Sequence, residues 1–318
     1  MPIPTNHLFN PSVKAFGTAS GPRGPTHSQV STGAPLVIIG IEVDPNHLTF
    51  TPPAASHNLL LSEIAKFCLR RPKKVGVKVA GSSSFPLKKW QCLAGWLNWS
   101  FNVYPHLCPC LNNIYHKIGG KERGEELIYV NNEIRADLVW AADHISKSDG
   151  VHLIRSFYWP LESACLTIYC DTSLTSMGFW LPDENVGYHS PIPPNFIPHN
   201  LPARDWILPY ESLCVLSALQ HAADNLLMIH ESDSRIVIFT DSNNTVNIFS
   251  SMRCQPLYNP ILRHATDILL TSRLQLRVIH VPGEMNIMAD LLSRGQLMDA
   301  LTVHPFEPPS VRLGWTGC

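Results

Sequence analysis

Apolar positions follow one rhythm in the first half of this 318-residue chain and a different one in the second. Residues 1–34 show no period at all. They are rich in Pro, Gly, Ser and Thr and read as disordered. Residues 35–50, PLVIIGIEVDPNHLTF, read as two short strands joined by the turn Asp44-Pro45-Asn46. A helical rhythm follows over 57–69, carried by Leu60, Ile64, Phe67 and Cys68. Residues 72–86 form a basic, Ser-rich loop. Helical spacing returns over 87–118 with a break at Pro105, and again over 133–148. The rings of WQCLAGWLNWSF invite a base-stacking role. The spacing of Trp90, Leu93, Ala94, Leu97 and Phe101 is that of a buried helix face, and a core is the better account.

From residue 164 the pattern tightens. ACLTIYCDTS is a strongly apolar strand, and MGFWLP and NVGYHS follow so closely that antiparallel hairpins are expected. Residues 190–208 are a Pro-rich loop. Residues 209–227 are a helix with Pro209 near its first turn and Leu213, Leu216, Leu219, Ala223 and Leu226 along one stripe. RIVIFTDS is continuously apolar, as in a strand covered on both faces. Helices are expected over 243–252 and 257–273, then a strand, LQLRVIHVP, and a short helix, NIMADLLSR. The order is β-β-β-α-β-α-α-β-α, without internal repeats.

Composition adds an asymmetry. The chain has a net charge of −1. Residues 1–160 nevertheless hold 16 Lys and Arg against 10 Asp and Glu, and residues 161–318 hold 8 against 15. No acidic residue lies between Glu63 and Glu122, a stretch that includes Arg70, Arg71, Lys73, Lys74, Lys88 and Lys89. Such a block attracts a phosphate backbone, although a solvated face would look the same. The nine cysteines are scattered, without a C-x-x-C pair. Cys108-Pro-Cys110 with His106 and His116 offers metal ligands, but reduced, buried thiols are the simpler reading. Neither a signal peptide nor a bilayer-length apolar run is visible, so the expectation is a soluble intracellular protein.

The acidic second half concentrates its interest in four carboxylates. Asp171 ends the first strand, Glu211 opens the long helix, Asp241 ends the fourth strand and Asp290 lies early in the last helix. Singly, each has an ordinary explanation as a turn residue, a cap, a partner of the helix dipole or a solvated side chain. Together they suggest one site, if strand one lies beside strand four. Crowded carboxylates cannot all ionise without cations. Mg²⁺ is the hard, oxygen-seeking candidate, with Mn²⁺ an alternative. Two such ions ~3.5–4 Å apart activate water and stabilise a leaving oxygen in phosphodiester hydrolysis.

The segments CDTSLTSMGFW, YESLCVLSALQHA, IVIFTDSNNTVNIF and LRVIHVPGEMNIMADLLSR resemble, in this order, the RNase H domain of retroelement polyproteins, most closely the fungal gypsy and DIRS types. The run H-V-P-G-x-x-N-x-x-A-D-x-L-S-R is the most specific piece. The resemblance covers about 161–297. It implies an α/β RNase H-like fold: a five-stranded mixed sheet flanked by helices, ordered 3-2-1-4-5, with strands one, four and five parallel. It also implies Asp171, Glu211, Asp241 and Asp290 as ligands of two Mg²⁺ ions. His280 matches the spacing of a loop histidine that aids product release or proton transfer, or is simply a polar strand-end residue. Asn286 is expected to shape the last loop and helix.

A weaker resemblance extends upstream. IGIEVDPNHLTF is similar to the primer-gripping strand pair of these reverse transcriptases. LAGWLNWSFNVYP and ADHISKSDGVHLI are similar to their thumb and connection, which makes 35–160 a mostly helical segment of that kind. Residues 298–318 are left as a tail. The chain carries neither a Y-x-D-D nor an F-x-D-D box. The expectation is therefore an RNase H without polymerase activity of its own, acting on an RNA–DNA hybrid, with a polymerase domain in trans as a candidate partner. The other reading is a non-catalytic nucleic-acid-binding remnant. Four retained carboxylates favour the first; the absent polymerase box favours the second.

Overall fold

The computed structural model describes residues 34–47, 49–69, 83–148, 151–152, 159–196, 202, 205–226 and 234–304. Arg70, Arg71, Lys73 and Lys74 of the basic block lie outside them.

The first half opens on a small antiparallel sheet. Strands β1 (Leu36–Ile38), β2 (Ile41–Asp44) and β3 (Thr49–Thr51) run as a meander, with β6 (Val151–His152) beside β3. Three strands stand where the pattern suggested two, because the apolar run LVIIGIEV folds back on itself. Ile39 and Gly40 both take positive φ, 52° and 76°, the backbone of a two-residue hairpin turn. Trp99 holds this turn by donating its indole N–H to the Ile39 carbonyl at 3.3 Å. The Asp44 turn forms as expected; Asp44 Oδ1 accepts the backbone N–H of Asn46 at 2.7 Å.

Four helices build a core behind that sheet: α1 (Ala54–Cys68), α2 (Leu87–Ser100), α3 (Asn112–Ile118) and α4 (Asn132–Lys147). A two-stranded antiparallel sheet of β4 (Ser84–Pro86) and β5 (Leu127–Tyr129) closes one side. The expected break is longer than a single proline kink. Helix α2 ends at Ser100, and the chain passes through a 3-10 segment, Pro105–Leu111, before α3. Trp90 is fully buried in this core, whereas Trp96 is 37% exposed. The stripe reading therefore holds for Trp90, Leu93, Ala94, Leu97 and Phe101, all of them buried. Cys110 is buried, and burial raises its thiol well above the ordinary range. Burial likewise raises the Cys108 thiol.

The second half is an α/β unit built on a five-stranded mixed sheet. Strands β7 (Leu166–Thr172), β8 (Ser176–Leu181) and β9 (Val186–Pro191) are antiparallel neighbours. Parallel strands β10 (Arg235–Thr240) and β11 (Gln275–His280) extend the sheet, giving the order β11-β10-β7-β8-β9. This is the expected topology. Helix α5 (Ile207–Leu226) starts two residues earlier than the pattern indicated, so Glu211 sits one turn inside it rather than at its opening. Helices α6 (Asn243–Ser251), α7 (Asn259–Ser272) and α8 (Ile287–Ser293) follow. A further helix, α9 (Leu297–Val303), stands where a tail was expected and buries Ala300 beside Trp180 and Leu292.

The period-two rule explains how this sheet is covered. Met177, Phe179 and Leu181 of β8 join the large core that contains Leu213 and Leu216 of α5. Trp180, on the other face, meets Leu292 of α8. Both faces are covered, so all six residues of β8 are buried. The cores of the two halves meet at the 3-10 segment, where Cys108 packs against both. Among the described residues no helix is long and apolar enough to cross a membrane.

Candidate active site

The sheet brings the first two carboxylates together. Cys170 of β7 is opposite Thr240 of β10 in a parallel ladder. Asp171 and Asp241, each one residue further along, therefore emerge side by side at the carboxyl ends of adjacent strands. That is where ligands collect in open sheets of parallel strands.

Helix α8 brings the third. Its path over the sheet depends on Gly178, the residue paired with Asp171 across the β7–β8 ladder. A Cβ on Gly178 would lie 2.5 Å from the backbone N of Ser293 and 2.7 Å from the carbonyl carbon of Leu292. Only a bare glycine admits the helix this close. Asn286, at the start of α8, donates its amide N–H to the Cys170 carbonyl at 2.9 Å and fixes the helix start to β7. Asp290 is thereby held over the strand ends, with Arg294 Nε donating to its Oδ1 at 2.7 Å.

Glu211 reaches the same end of the sheet from α5. Its Oε2 accepts the Thr245 hydroxyl of α6 at 3.3 Å. Burial raises its pKa, with the Asp241 and Asp171 charges adding to the rise and the Ser242 and Thr245 hydroxyls opposing it. Asp171 is pushed up to about 6, mainly by burial, and then by the charges of Asp241 and Asp290. The Ser293 hydroxyl, 2.5 Å from Asp171 Oδ2, pulls the other way. Burial is the larger cause for both groups, and the neighbouring acidic charges add to it.

His280 ends β11, opposite Thr240, and is exposed beside the strand end that carries Asp241. The loop that follows runs close to Asp241, whose Oδ2 lies 3.5 Å from where a Cβ of Gly283 would stand. Lys88 and Lys89 are exposed on the first turn of α2, in the other half of the molecule.

All-oxygen donors with surplus negative charge suit a hard divalent cation. Asp171 feels the charges of Asp241 and Asp290, and Glu211 those of Asp241 and Asp171, although burial is the larger cause of both shifts. Among the described residues, the acidic side chains are not drawn into a metal-holding group of three or more. Asp171 instead turns to Ser293, Asp290 to Arg294 and Glu211 to Thr245. Mutually repelling carboxylates are expected to rest on such neighbouring donors.

Three contributors escaped the sequence reading: Ser293, Thr245 and Gly178. Ser293 had a signal, since it lies three residues after Asp290 and so shares its helix face. The other two are set by inter-element contacts that no local spacing reports.

No protein-family model matches this chain, and no curated protein matches it. Among solved structures it is similar to LC11-RNase H1 in complex with RNA/DNA hybrid. There the identity is 16%, over 43% of this chain and 99% of that one, with a TM-score of 0.33. RNase H1 from the halophilic archaeon Halobacterium salinarum NRC-1 is similar at 18% identity, over 42% of this chain and 98% of that one, with a TM-score of 0.32. Similarity to the foamy viral protease-reverse transcriptase in complex with RNA/DNA hybrid takes in 82% of this chain but 52% of that one, at 9% identity and a TM-score of 0.30.

Proposed function

We propose that this chain is an RNase H-type endonuclease that hydrolyses the RNA strand of RNA–DNA hybrids with Mg²⁺, and that it is the C-terminal part of a retroelement reverse transcriptase of gypsy or DIRS type. One observation carries the reading. Asp171 and Asp241 leave adjacent parallel strands side by side, and Glu211 and Asp290 are carried to the same end of the sheet by helices α5 and α8 on its two faces.

In this reading Asp171, Glu211, Asp241 and Asp290 hold the metal ions. When bound, the ions supply an activated water and charge for the leaving oxygen. Asp171 and Asp241 are the rigid pair, because the sheet sets their separation. Asp290 and Glu211 come from helices and close the site from the two faces. The exposed His280 stands where it can carry a proton or help product leave. Recognition of RNA over DNA rests on the 2′-OH. The exposed Lys88 and Lys89, with Arg70, Arg71, Lys73 and Lys74, are the proposed contacts to the hybrid backbone.

The test is a Mg²⁺ titration of the full chain on labelled hybrid, double-stranded RNA and double-stranded DNA. Cleavage of the hybrid RNA strand alone is the expected result. A protein that binds the hybrid and never cuts it, with Mg²⁺ or Mn²⁺, is a binding remnant, and the catalytic reading is then wrong.

A further inference from the structure

The buried Ser293 is unusually well anchored for a residue at the end of a seven-residue helix. Its side chain is fully enclosed. Its carbonyl accepts the hydroxyl of Ser176, the first residue of β8, at 2.6 Å and that of Ser173, in the turn before it, at 3.0 Å. Its backbone N rests against Gly178. The end of α8 is thus clamped to the hairpin that carries Asp171.

A hydroxyl has one proton to give. Two acceptors lie within reach of Ser293 Oγ: Asp171 Oδ2 at 2.5 Å and the Asp290 carbonyl at 2.9 Å. That carbonyl already accepts the Arg294 N–H at 3.1 Å. The carboxylate is closer and charged, and an O–H to O⁻ bond of this length is the stronger kind. The proton therefore belongs to Asp171.

We propose that Ser293 is a positioning residue: clamped by Ser173, Ser176 and Gly178, it holds the Asp171 carboxylate in the orientation that takes the metal ion. This rests on the metal-binding reading of the four carboxylates. A carboxylate has about four acceptor positions, so one hydrogen bond leaves capacity for a cation. The same helical turn then serves two carboxylates. It carries Asp290 and, three residues later, the hydroxyl that orients Asp171. Partners of this kind typically change metal affinity or activity by about 10–100-fold when removed.

The experiment uses the full chain as wild type, Ser293→Ala, Ser293→Thr and Asp171→Asn. Mn²⁺ binding is measured by calorimetry, and the Mg²⁺ dependence of hybrid cleavage alongside it. Ser293→Ala should weaken Mn²⁺ binding and raise the half-activating Mg²⁺ concentration by about 10–100-fold. Its rate at saturating Mg²⁺ should fall far less, and its hybrid affinity should not change. Ser293→Thr, which keeps the hydroxyl, should recover most of the metal affinity. If Ser293→Ala binds Mn²⁺ like wild type while Asp171→Asn does not, the inference is overturned and the metal reading stands. If Ser293→Ala loses cooperative unfolding, the role is structural and the inference again fails. Should wild type take up no Mn²⁺, the metal reading falls and this inference with it.

Discussion

Single residues at the strand ends have sharply different tasks, and their substitutions should separate accordingly. Asp171→Asn or Asp241→Asn keeps side-chain shape and removes a charge. Either should abolish hybrid cleavage, a loss of at least several kcal/mol in barrier at ~1.4 kcal/mol per tenfold. Hybrid binding should survive, because the proposed phosphate contacts lie elsewhere; a gel-shift assay beside the cleavage assay shows whether it does. Retention of most activity in Asp171→Asn would remove that residue from the ligand set. His280→Ala should slow turnover without stopping it. Gly178→Ala is predicted to harm both fold and site. The added methyl meets backbone at 2.5 and 2.7 Å, which cannot swing aside as a flexible side chain would. The cost should be at least ~1–3 kcal/mol, by displacement of α8 from the sheet. A melting temperature equal to wild type would mean that α8 sits farther out than described.

At the scale of elements, helices α4 and α7 form a reciprocal polar seam between the two halves. Asp137 of α4 accepts from Asn259 at 3.0 Å and from Arg263 at 3.1 Å, both on α7, and from Asn113 at 2.7 Å. Asp267 of α7 accepts from Trp140 and His144 of α4, each at 2.7 Å. Exposure separates the two acids. Burial raises Asp137 to about 6 despite its three donors, while for the more open Asp267 the His144 and Trp140 hydrogen bonds outweigh burial and lower it. The sign for Asp137 follows from linkage. Its folded pKa exceeds its unfolded one, so between about pH 4 and 6 the folded state binds more protons, and stability falls as pH rises. Asp137→Asn should flatten that part of the stability–pH curve. The difference between the two curves should approach about 3 kcal/mol across the window, at ~1.4 kcal/mol per pKa unit. Parallel curves from denaturant melts at pH 4, 5, 6 and 7 would show that Asp137 is not the group titrating. Complete loss of the side chain is another matter. Asp137→Ala leaves the partly exposed Arg263 and the Asn259 and Asn113 amides without their shared acceptor, which should cost about 1–3 kcal/mol.

For the whole molecule the relevant property is the division of charge. The first half is net basic and the second net acidic, and the seam ties the two together. A hybrid whose backbone lies on Lys88 and Lys89 is therefore presented to the carboxylates by a joined body rather than by a separate tether. Charge reversal at Lys73, Lys74, Lys88 and Lys89 should weaken hybrid binding and flatten its dependence on salt. Each lost phosphate contact removes on the order of one unit of the log–log slope. An unchanged slope would mark the block as a solvated face, with the hybrid bound elsewhere.

The local pattern was enough to give the second half its strands and its long helix, because alternation and apolar stripes report which faces are covered; the sheet order came only from the resemblance. It also marked Asp171, Glu211, Asp241 and Asp290 as candidates, since strand ends and helix turns can be counted along the chain, and the structure sets Asp171 and Asp241 on adjacent strands. It misread LVIIGIEV as one strand, because a hairpin turn that places Ile39 at positive φ carries almost no compositional mark beyond Gly40. The helix at 297–303 escaped too, since its burial depends on Trp180 and Leu292 rather than on a strong stripe of its own. Most of the supporting shell is set by tertiary structure, although the spacing of Ser293 from Asp290 was visible. Gly178, Ser293 and Thr245 act through contacts spanning 34 to 122 residues of chain. So does the Asp137 seam, whose partners on α7 lie 122 and 126 residues away. Periodicity records which way a side chain faces within its element. Which element it faces, and how closely, is decided only when the chain has packed.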